Sequence, residues 1–216
     1  MAFTLTGVEF AYTVAPLLVL AEKGITDFEL REPDFSTLKQ KPHIDKNPFG
    51  QVPILEDNGF VLYEARAIAR YLAEKFQATG PALIPAEGDI KAWGLFEQFA
   101  SSEHTNFHHF VQVIIAQKYY NPLNGRPVDP TITEYFEKRF NAKLDVYDVI
   151  LAKQKYMGGD EFSLIDIFYM PQIGTLFTMG DGAFVTSRPN IKAWWQRVSA
   201  RDSWKKYAAS VAEGLS

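Results

Sequence analysis

The chain has 216 residues, of which 47% are apolar and 22% charged, and its formal net charge is −4 at pH 7. This composition supports a substantial buried core, and the mixed charges offer no basic face, so we expect no nucleic-acid partner. The sequence contains no cysteine, which excludes disulfides, thiolate zinc sites and a catalytic protein thiol. The opening Met-Ala-Phe-Thr is not a basic leader, and no apolar stretch approaches bilayer length, so we expect a cytoplasmic protein without membrane contact.

The first third of the chain mixes strand and helix patterns. Alternation at Phe3-Thr4-Leu5 predicts a strand, and the apolar run from Val14 to Ala21 predicts a helix that ends at Gly24. Phe28-Glu29-Leu30 predicts a second strand, followed by a polar segment over 31–46 with no clear period.

Two alternating runs flank Asn58-Gly59 over 52–63 and predict a β-hairpin, because both turn residues accept positive φ. Helical spacing over 64–76 then completes a βαβ, loop, ββα order, which we assign to a first domain over 1–77. Gly and Pro residues over 78–88 predict a linker. The remaining 89–216 predict an all-helical domain, with helices near 89–120, 131–154, 163–179 and 189–199 and a short amphipathic tail.

Two separate motifs carry a family resemblance. The first is Asn47-Pro48-Phe49-Gly50-Gln51-Val52-Pro53-Ile54-Leu55 followed by Leu62-Tyr63-Glu64-Ala65-Arg66-Ala67-Ile68, and the second is the run from Tyr156 to Asp166. Together they resemble the glutathione transferases, most closely the phi class of plants and fungi. The resemblance implies an α/β thioredoxin-like domain before an all-α domain, glutathione as co-substrate without a metal, and a homodimer.

The resemblance also implies which residues bind glutathione. Pro53 would follow a cis peptide bond, the main chain of Val52 would pair with the cysteinyl part, and the side chain of Glu64 would meet the ligand's amino group. The start of the helix after Glu64 suits the γ-glutamyl carboxylate, because free N–H groups and the macrodipole favour an anion there. From the residues alone, Pro53 could be an edge-strand proline and Glu64 could complement the helix dipole. The implied binding set is Lys39 or Lys41 for the glycyl carboxylate, with Gln51, Val52, Pro53, Glu64 and Ala65.

A hydroxyl expected from the resemblance is missing. Phi-class enzymes carry a serine at the start of the first helix that donates to the glutathione sulfur, and this position is Ala11 here. A second expected hydroxyl is replaced by Ala65. Helix amides together with Thr13, or else the phenol of Tyr12, are the candidate replacements that would favour the thiolate. Alternatively, Tyr12 lines the apolar site and Thr13 caps the helix.

The family geometry places the acceptor site between the domains, where aromatic side chains suit a planar hydrophobic ligand. The candidates for this hydrophobic site are Phe10, Tyr12, Phe35, Phe107, His108, Gln112 and Ile115. His104 and His108 have the i, i+4 spacing of a metal pair, but no carboxylate motif completes a set, so we predict no metal site. The exposed-loop residue Phe49 is the expected homodimer anchor.

Ser163 and Asp166 form a predicted capping box, whose role is folding rather than binding. Trp194, Trp195 and Trp204 are expected to fix the terminal helices to the core. The resemblance leaves two functions open: an enzyme in which the glutathione thiolate attacks an electrophilic carbon or a peroxide, or a weakly catalytic ligandin that binds aromatic small molecules. A glutathione-dependent thiol reductase is excluded because it would need a cysteine.

Overall fold

A four-stranded mixed sheet forms the centre of the N-terminal domain in the computed structural model, which describes residues 3–213. Its strands are β1 (Phe3–Thr6), β2 (Phe28–Arg31), β3 (Ile54–Asp57) and β4 (Phe60–Tyr63). They lie in the order β2-β1-β3-β4, with β1 parallel to β2 and the β1–β3 and β3–β4 pairs antiparallel. The sheet confirms the predicted β-hairpin, whose turn residue Asn58 has φ of 50°.

Three helices belong to this thioredoxin-like domain: α1 (Val14–Glu22), α2 (His43–Lys46) and α3 (Ala65–Lys75). Helix α1 is apolar nearly all round and is buried between the sheet domain and the helical domain. Helix α3 buries a single apolar face against α1. The predicted βαβ, loop, ββα order is confirmed, whereas α2 was not predicted because four polar residues show no periodicity.

The second domain is helical, as expected, and begins with one continuous rod over 90–123. Two π-helical turns, at His104–His108 and Ala116–Tyr120, interrupt its α-helical hydrogen bonding. Such turns often occur at functional sites. The α-helices of the domain are α4 (Ile90–Glu103), α5 (His109–Ile115), α6 (Asn121–Leu123), α7 (Pro130–Leu151), α8 (Leu164–Thr178), α9 (Ala183–Thr186), α10 (Pro189–Ser199) and α11 (Asp202–Glu213).

Helix α8 is the buried axis of the helical domain, with every residue from Leu164 to Leu176 buried. The capping box is present at its start: Ser163 Oγ accepts from the Ile165 N–H at 3.3 Å, and the Ser163 N–H donates to Asp166 Oδ2 at 3.0 Å. Asp166 also accepts from Trp194 Nε1 at 2.7 Å. Trp194 is therefore the residue that ties α10 to the domain axis.

Trp204 extends the same arrangement to α11, because its ring lies directly against Gly174 of α8. A Cβ at Gly174 would come within 2.6 Å of that ring. Trp195 stacks on Phe177 with ring centroids 5.5 Å apart. The predicted role of the three tryptophans in fixing the terminal helices is confirmed.

Ion pairs join the domains, and two of those between described residues are bidentate. Arg66, at the start of α3, makes a bidentate pair with the fully buried Glu103 of α4 at 2.7 and 2.8 Å. Arg201 makes a second bidentate pair with Glu22 of α1 at 2.6 and 2.7 Å. These contacts fix the angle between the domains and so the shape of the space between them.

Among residues 3–213, no helix combines the length and the apolar character needed to cross a membrane.

Candidate functional site

A cavity of about 450 Å³ lies between the two domains. Its N-terminal-domain lining is Val8, Phe10, Ala11, Tyr12, Thr13, Phe35, Leu38, Asn47, Gly50, Gln51, Val52, Pro53, Glu64, Ala65 and Arg66. The helical domain adds His108, Gln112 and Tyr120. One side of the cavity is thus a polar loop region of the first domain, and the other is an aromatic wall shared by both domains.

The loop before β3 is held by side chains that contact its own backbone. The Gln51 carbonyl accepts a hydrogen bond of 3.0 Å from Asn47 Nδ2. The same carbonyl oxygen lies 3.0 Å from His43 Nε2. Asn47 is buried and its Oδ1 accepts from the Phe49 N–H. The Val52–Pro53 peptide bond is cis, as the family resemblance implied. These contacts hold Gln51 and Val52 at the cavity edge.

Glu64 lies between β4 and α3 in an unusual conformation, with φ of 74° and ψ of 112°. Positive φ at a residue with a side chain is strained, and such strain is concentrated at functional sites. Ala65 and Arg66 follow as the first residues of α3, whose N–H groups have no partner within the helix. The end of an eleven-residue helix, a carboxylate and a cationic side chain therefore meet at one end of the cavity.

Neither candidate lysine lines the cavity. Lys39 Nζ donates to the carbonyl of Phe49, and its side chain lies against Gly50. Lys41 pairs with Asp45 at 3.3 Å, and its side chain is 77% exposed. Lys39 is therefore the nearer of the two, because its neighbours Leu38 and Gly50 both line the cavity.

The segment Ala11–Thr13 forms a single 3₁₀ turn that leads into α1. Ala11 has φ of 53° and lines the cavity without a polar group. Thr13 is only 2% exposed, and its side chain packs against Gly7. Thr13 makes no capping hydrogen bond, so the alternative in which its hydroxyl caps α1 is wrong.

Tyr12 joins the two domains through a short chain of hydrogen bonds. Its ring contacts His108 edge to face at 5.6 Å, and its hydroxyl accepts from Gln172 Nε2 at 3.4 Å. Gln172 Oε1 in turn lies 3.1 Å from His108 Nδ1. Burial raises the pKa of Tyr12 to about 12 and, with help from Arg66, lowers the pKa of His108 to about 4. Both groups are neutral at pH 7.

Five members of the predicted hydrophobic site come together in the cavity: Phe10, Tyr12, Phe35, His108 and Gln112. Two do not, and the prediction was wrong for them. Phe107 is 1% exposed and packs on Phe140 and Tyr169, and Ile115 is 5% exposed in the same core. His108 and Gln112, four residues apart, share the helix face toward the cavity, whereas Phe107 lies on the face toward α7 and α8.

Several lining or supporting residues were missed by sequence reasoning. Asn47 and Arg66 belong to the first motif and could have been identified by their position in it. Tyr120 carries no local signal beyond its aromatic ring. Gln172 could not have been found from sequence, because its contact with Tyr12 joins residues 160 positions apart.

His104 is exposed, and its ring stacks on that of His108 with centroids 5.2 Å apart. Over the described range 3–213, no three or more His, Cys, Asp or Glu side chains cluster in a way that could hold a metal ion.

Comparison with known proteins gives a consistent result. Residues 2–74 match the glutathione S-transferase N-terminal domain, and residues 129–202 match the glutathione S-transferase C-terminal domain. The curated glutathione S-transferase F11 of Arabidopsis thaliana is 37% identical over 195 residues, covering 88% of this chain and 89% of that protein.

Solved structures agree in fold over the whole length. Glutathione transferase F7 from Populus trichocarpa superposes with a TM-score of 0.90 at 34% identity, covering 97% of this chain and 99% of that one. Glutathione S-transferase I from maize, solved with an atrazine glutathione conjugate, gives 0.89 at 27% identity, with 100% of both chains covered. The chain belongs to the glutathione S-transferase family, and its plant homologues are of the phi class.

Proposed function

We propose that this protein is a glutathione S-transferase that joins the glutathione thiolate to a hydrophobic electrophile in the cavity between its domains. The observation that carries the proposal is the two-sided character of that cavity. The cis-Val52–Pro53 loop and the start of α3 form a polar side, and Tyr12, Phe35 and Tyr120 form an aromatic side. One side suits a charged tripeptide and the other a planar apolar molecule.

Glutathione would be held by the polar side. Main-chain groups of Val52 would pair with the cysteinyl residue, while the side chain of Glu64 would accept from the α-ammonium group. The γ-glutamyl carboxylate would lie at the N-terminus of α3, where the Ala65 and Arg66 amides are free. We assign the glycyl carboxylate to Lys39 rather than Lys41, because Lys39 lies against the cavity-lining Gly50.

Activation of the thiol is the demanding step, because Ala11 stands where the related enzymes use serine. A free thiol has a pKa of about 8.5, so only a few per cent is thiolate at neutral pH. We assign the stabilisation of the thiolate to the backbone amides where the Ala11–Thr13 turn leads into α1, together with Thr13, rather than to the Tyr12 phenol, the other candidate. The nearly complete burial of Thr13 makes the backbone amides the larger part of this assignment.

A second candidate function is a weakly catalytic ligandin that keeps glutathione and an aromatic molecule without efficient conjugation. The absence of hydroxyl groups at Ala11 and Ala65, both of which line the cavity, favours it. The two functions differ in one measurable quantity, the pKa of the bound thiol.

The deciding experiment is an ultraviolet titration of bound glutathione, in which thiolate absorbance is followed as pH rises. For the transferase we expect a bound-thiol pKa at least about one unit below the free value of about 8.5. Ala11→Ser should lower it by about one further unit and raise the conjugation rate, since a hydrogen bond to a charged group contributes about 1.5 to 3 kcal/mol. Ala21→Ser, on the same helix and outside the cavity, is the control. A wild-type value at or above 8.5 with glutathione still bound would establish the ligandin.

The proposal includes the assembly and the domain limits. We place the domains at 1–77 and 89–216, joined by a linker over 78–88, and we propose that the protein is a cytoplasmic homodimer. Phe49 is the proposed dimer anchor, because it is 61% exposed in a loop fixed by buried Asn47 and contacts Tyr63 edge to face. An exposed aromatic on a rigid loop is typical of an interface hot spot.

A further inference from the structure

The hydrogen bonds from His108 through Gln172 to Tyr12 have a direction. Gln172 Oε1 can only accept, so the neighbouring Nδ1 of His108 must carry the hydrogen. Gln172 Nε2 can only donate, and it donates to the Tyr12 hydroxyl oxygen at 3.4 Å. Each donor in this series therefore points from His108 toward Tyr12, and the Tyr12 hydroxyl does not donate its own hydrogen to Gln172.

Within the described residues, no charged or titratable group near this hydroxyl accepts that hydrogen. Arg66 is a donor, and the carboxylate of Glu103 is bonded to Arg66, at 2.7 and 2.8 Å. Tyr120, the other neighbouring phenol, shares no hydrogen bond with Tyr12 within the described residues. Since Tyr12 lines the cavity, a bound molecule can supply the missing acceptor.

We propose that Gln172, oriented by His108, is a positioning residue that holds the Tyr12 hydroxyl as a hydrogen-bond donor to an oxygen of the electrophile. The inference rests on the proposed conjugation and names the acceptor class: α,β-unsaturated carbonyl compounds. The glutathione sulfur forms a C–S bond at the β-carbon, the C=C electron pair moves so that negative charge develops on the carbonyl oxygen, and the α-carbon then takes a proton from water. Tyr12 stabilises that oxygen without losing its proton.

The location of the hydroxyl favours the electrophile over the sulfur as its partner. His108 and Gln172, which support the hydroxyl, belong to the helical domain, and that domain also contributes Gln112 and Tyr120 to the cavity. The residues proposed to hold glutathione all belong to the first domain. Burial keeps the phenol protonated, as a donor must be. A neutral donor fixed in advance at the position where charge develops stabilises the transition state more than the ground state.

The test compares an α,β-unsaturated ketone with a benzyl halide, which has no oxygen to receive charge. Tyr12→Phe and Gln172→Met should each lower kcat/KM for the ketone by about tenfold and change the halide reaction less than about twofold. The double variant should be no slower than Tyr12→Phe, because Gln172 acts through Tyr12. The pKa of the bound thiol should not change. Thr175→Val, which removes another buried hydrogen bond from α8 outside the cavity, should leave the ratio of the two rates unchanged.

If Tyr12→Phe lowers kcat/KM equally for the ketone and the halide and raises the pKa of the bound glutathione thiol, the inference is overturned, and the Tyr12 hydroxyl is then assigned to the sulfur. Additive losses in the double variant would show that Gln172 does not act through Tyr12. Wild-type protein that conjugates neither acceptor would reject the proposed function itself and this inference with it. If Gln172→Met does not fold, Gln172→Glu replaces it: its carboxylate would accept the Tyr12 hydrogen, and the ketone rate should fall as far as in Tyr12→Phe.

Discussion

Asp166 is expected to be the most sensitive polar residue for folding, although it lies outside the cavity. It is fully buried and accepts hydrogen bonds from the Met157 N–H at 2.9 Å, the Ser163 N–H at 3.0 Å and Trp194 Nε1 at 2.7 Å, with a longer one from Ser163 Oγ at 3.5 Å. Asp166→Ala removes the acceptor of the three shorter hydrogen bonds, two of which have buried donors. Each orphaned group costs about 1 to 3 kcal/mol, so we expect a loss of roughly 4 kcal/mol after partial relaxation.

Ser163→Ala is the matched comparison, because it removes the other half of the same capping box. Only the Ile165 N–H loses its acceptor, and that bond is 3.3 Å long, so the expected loss is about 1 kcal/mol. Asp166→Asn keeps the volume and one acceptor oxygen and should fall between the two. The ordering of the three variants is the prediction.

Urea unfolding followed by tryptophan fluorescence measures these losses, at one fixed protein concentration because association would shift the midpoint. Glutathione affinity of the folded fraction should match wild type in all three variants, since neither residue lines the cavity. An Asp166→Ala variant no less stable than Ser163→Ala would refute the reasoning from buried donors. A selective loss of glutathione affinity would refute the purely structural role.

Glu64→Gln should weaken glutathione binding by about tenfold in calorimetry. The control Glu74→Gln, at an exposed position of α3, should leave the affinity unchanged, and equal affinities in both variants would show that Glu64 does not bind glutathione. His108 has a folded pKa of about 4 against an ordinary value of 6.5, so the unfolded state binds more protons between these values and stability falls as pH falls. The expected loss in the free energy of unfolding between pH 7 and 5 is about 2 kcal/mol. The variant His108→Asn, which does not titrate, should lack this loss in urea unfolding. If its stability depends on pH as wild type does, the pKa assigned to His108 is contradicted. Phe49→Ala should shift light-scattering mass toward the monomer at micromolar concentration, and the exposed Phe60→Ala should not; two unchanged masses would reject the Phe49 anchor.

Local patterns were sufficient for most of the fold. The Asn58-Gly59 turn, the apolar run of α1 and the capping box before α8 each depend on neighbours within a few residues, so the sequence contains their full signal. The short helix α2 and the π turns in 90–123 were not predicted. Their hydrogen bonding depends on how the segment packs against the rest of the molecule rather than on residue type.

The polar side of the cavity was also largely predictable, since Gln51 to Pro53 and Glu64 to Ala65 lie in the two runs of the first motif, which fold as one hairpin and helix start. The prediction of the aromatic side was less complete, because Phe107 and Ile115 lie in the core. Phe107 and His108 are adjacent in sequence, yet one packs in the core and the other lines the cavity, and only the rotation of the helix between the domains decides which.

The family, the order of elements and the absence of cysteine could be read from the sequence alone, as could the expectation that Ala11 stands in place of a serine. The tertiary structure decided which side chains meet across the domains: the burial of Thr13, the pairing of Arg66 with Glu103, and the link from His108 through Gln172 to Tyr12. These contacts join residues far apart in the chain, and their geometry depends on the angle between two packed domains. No local pattern of residues specifies that angle.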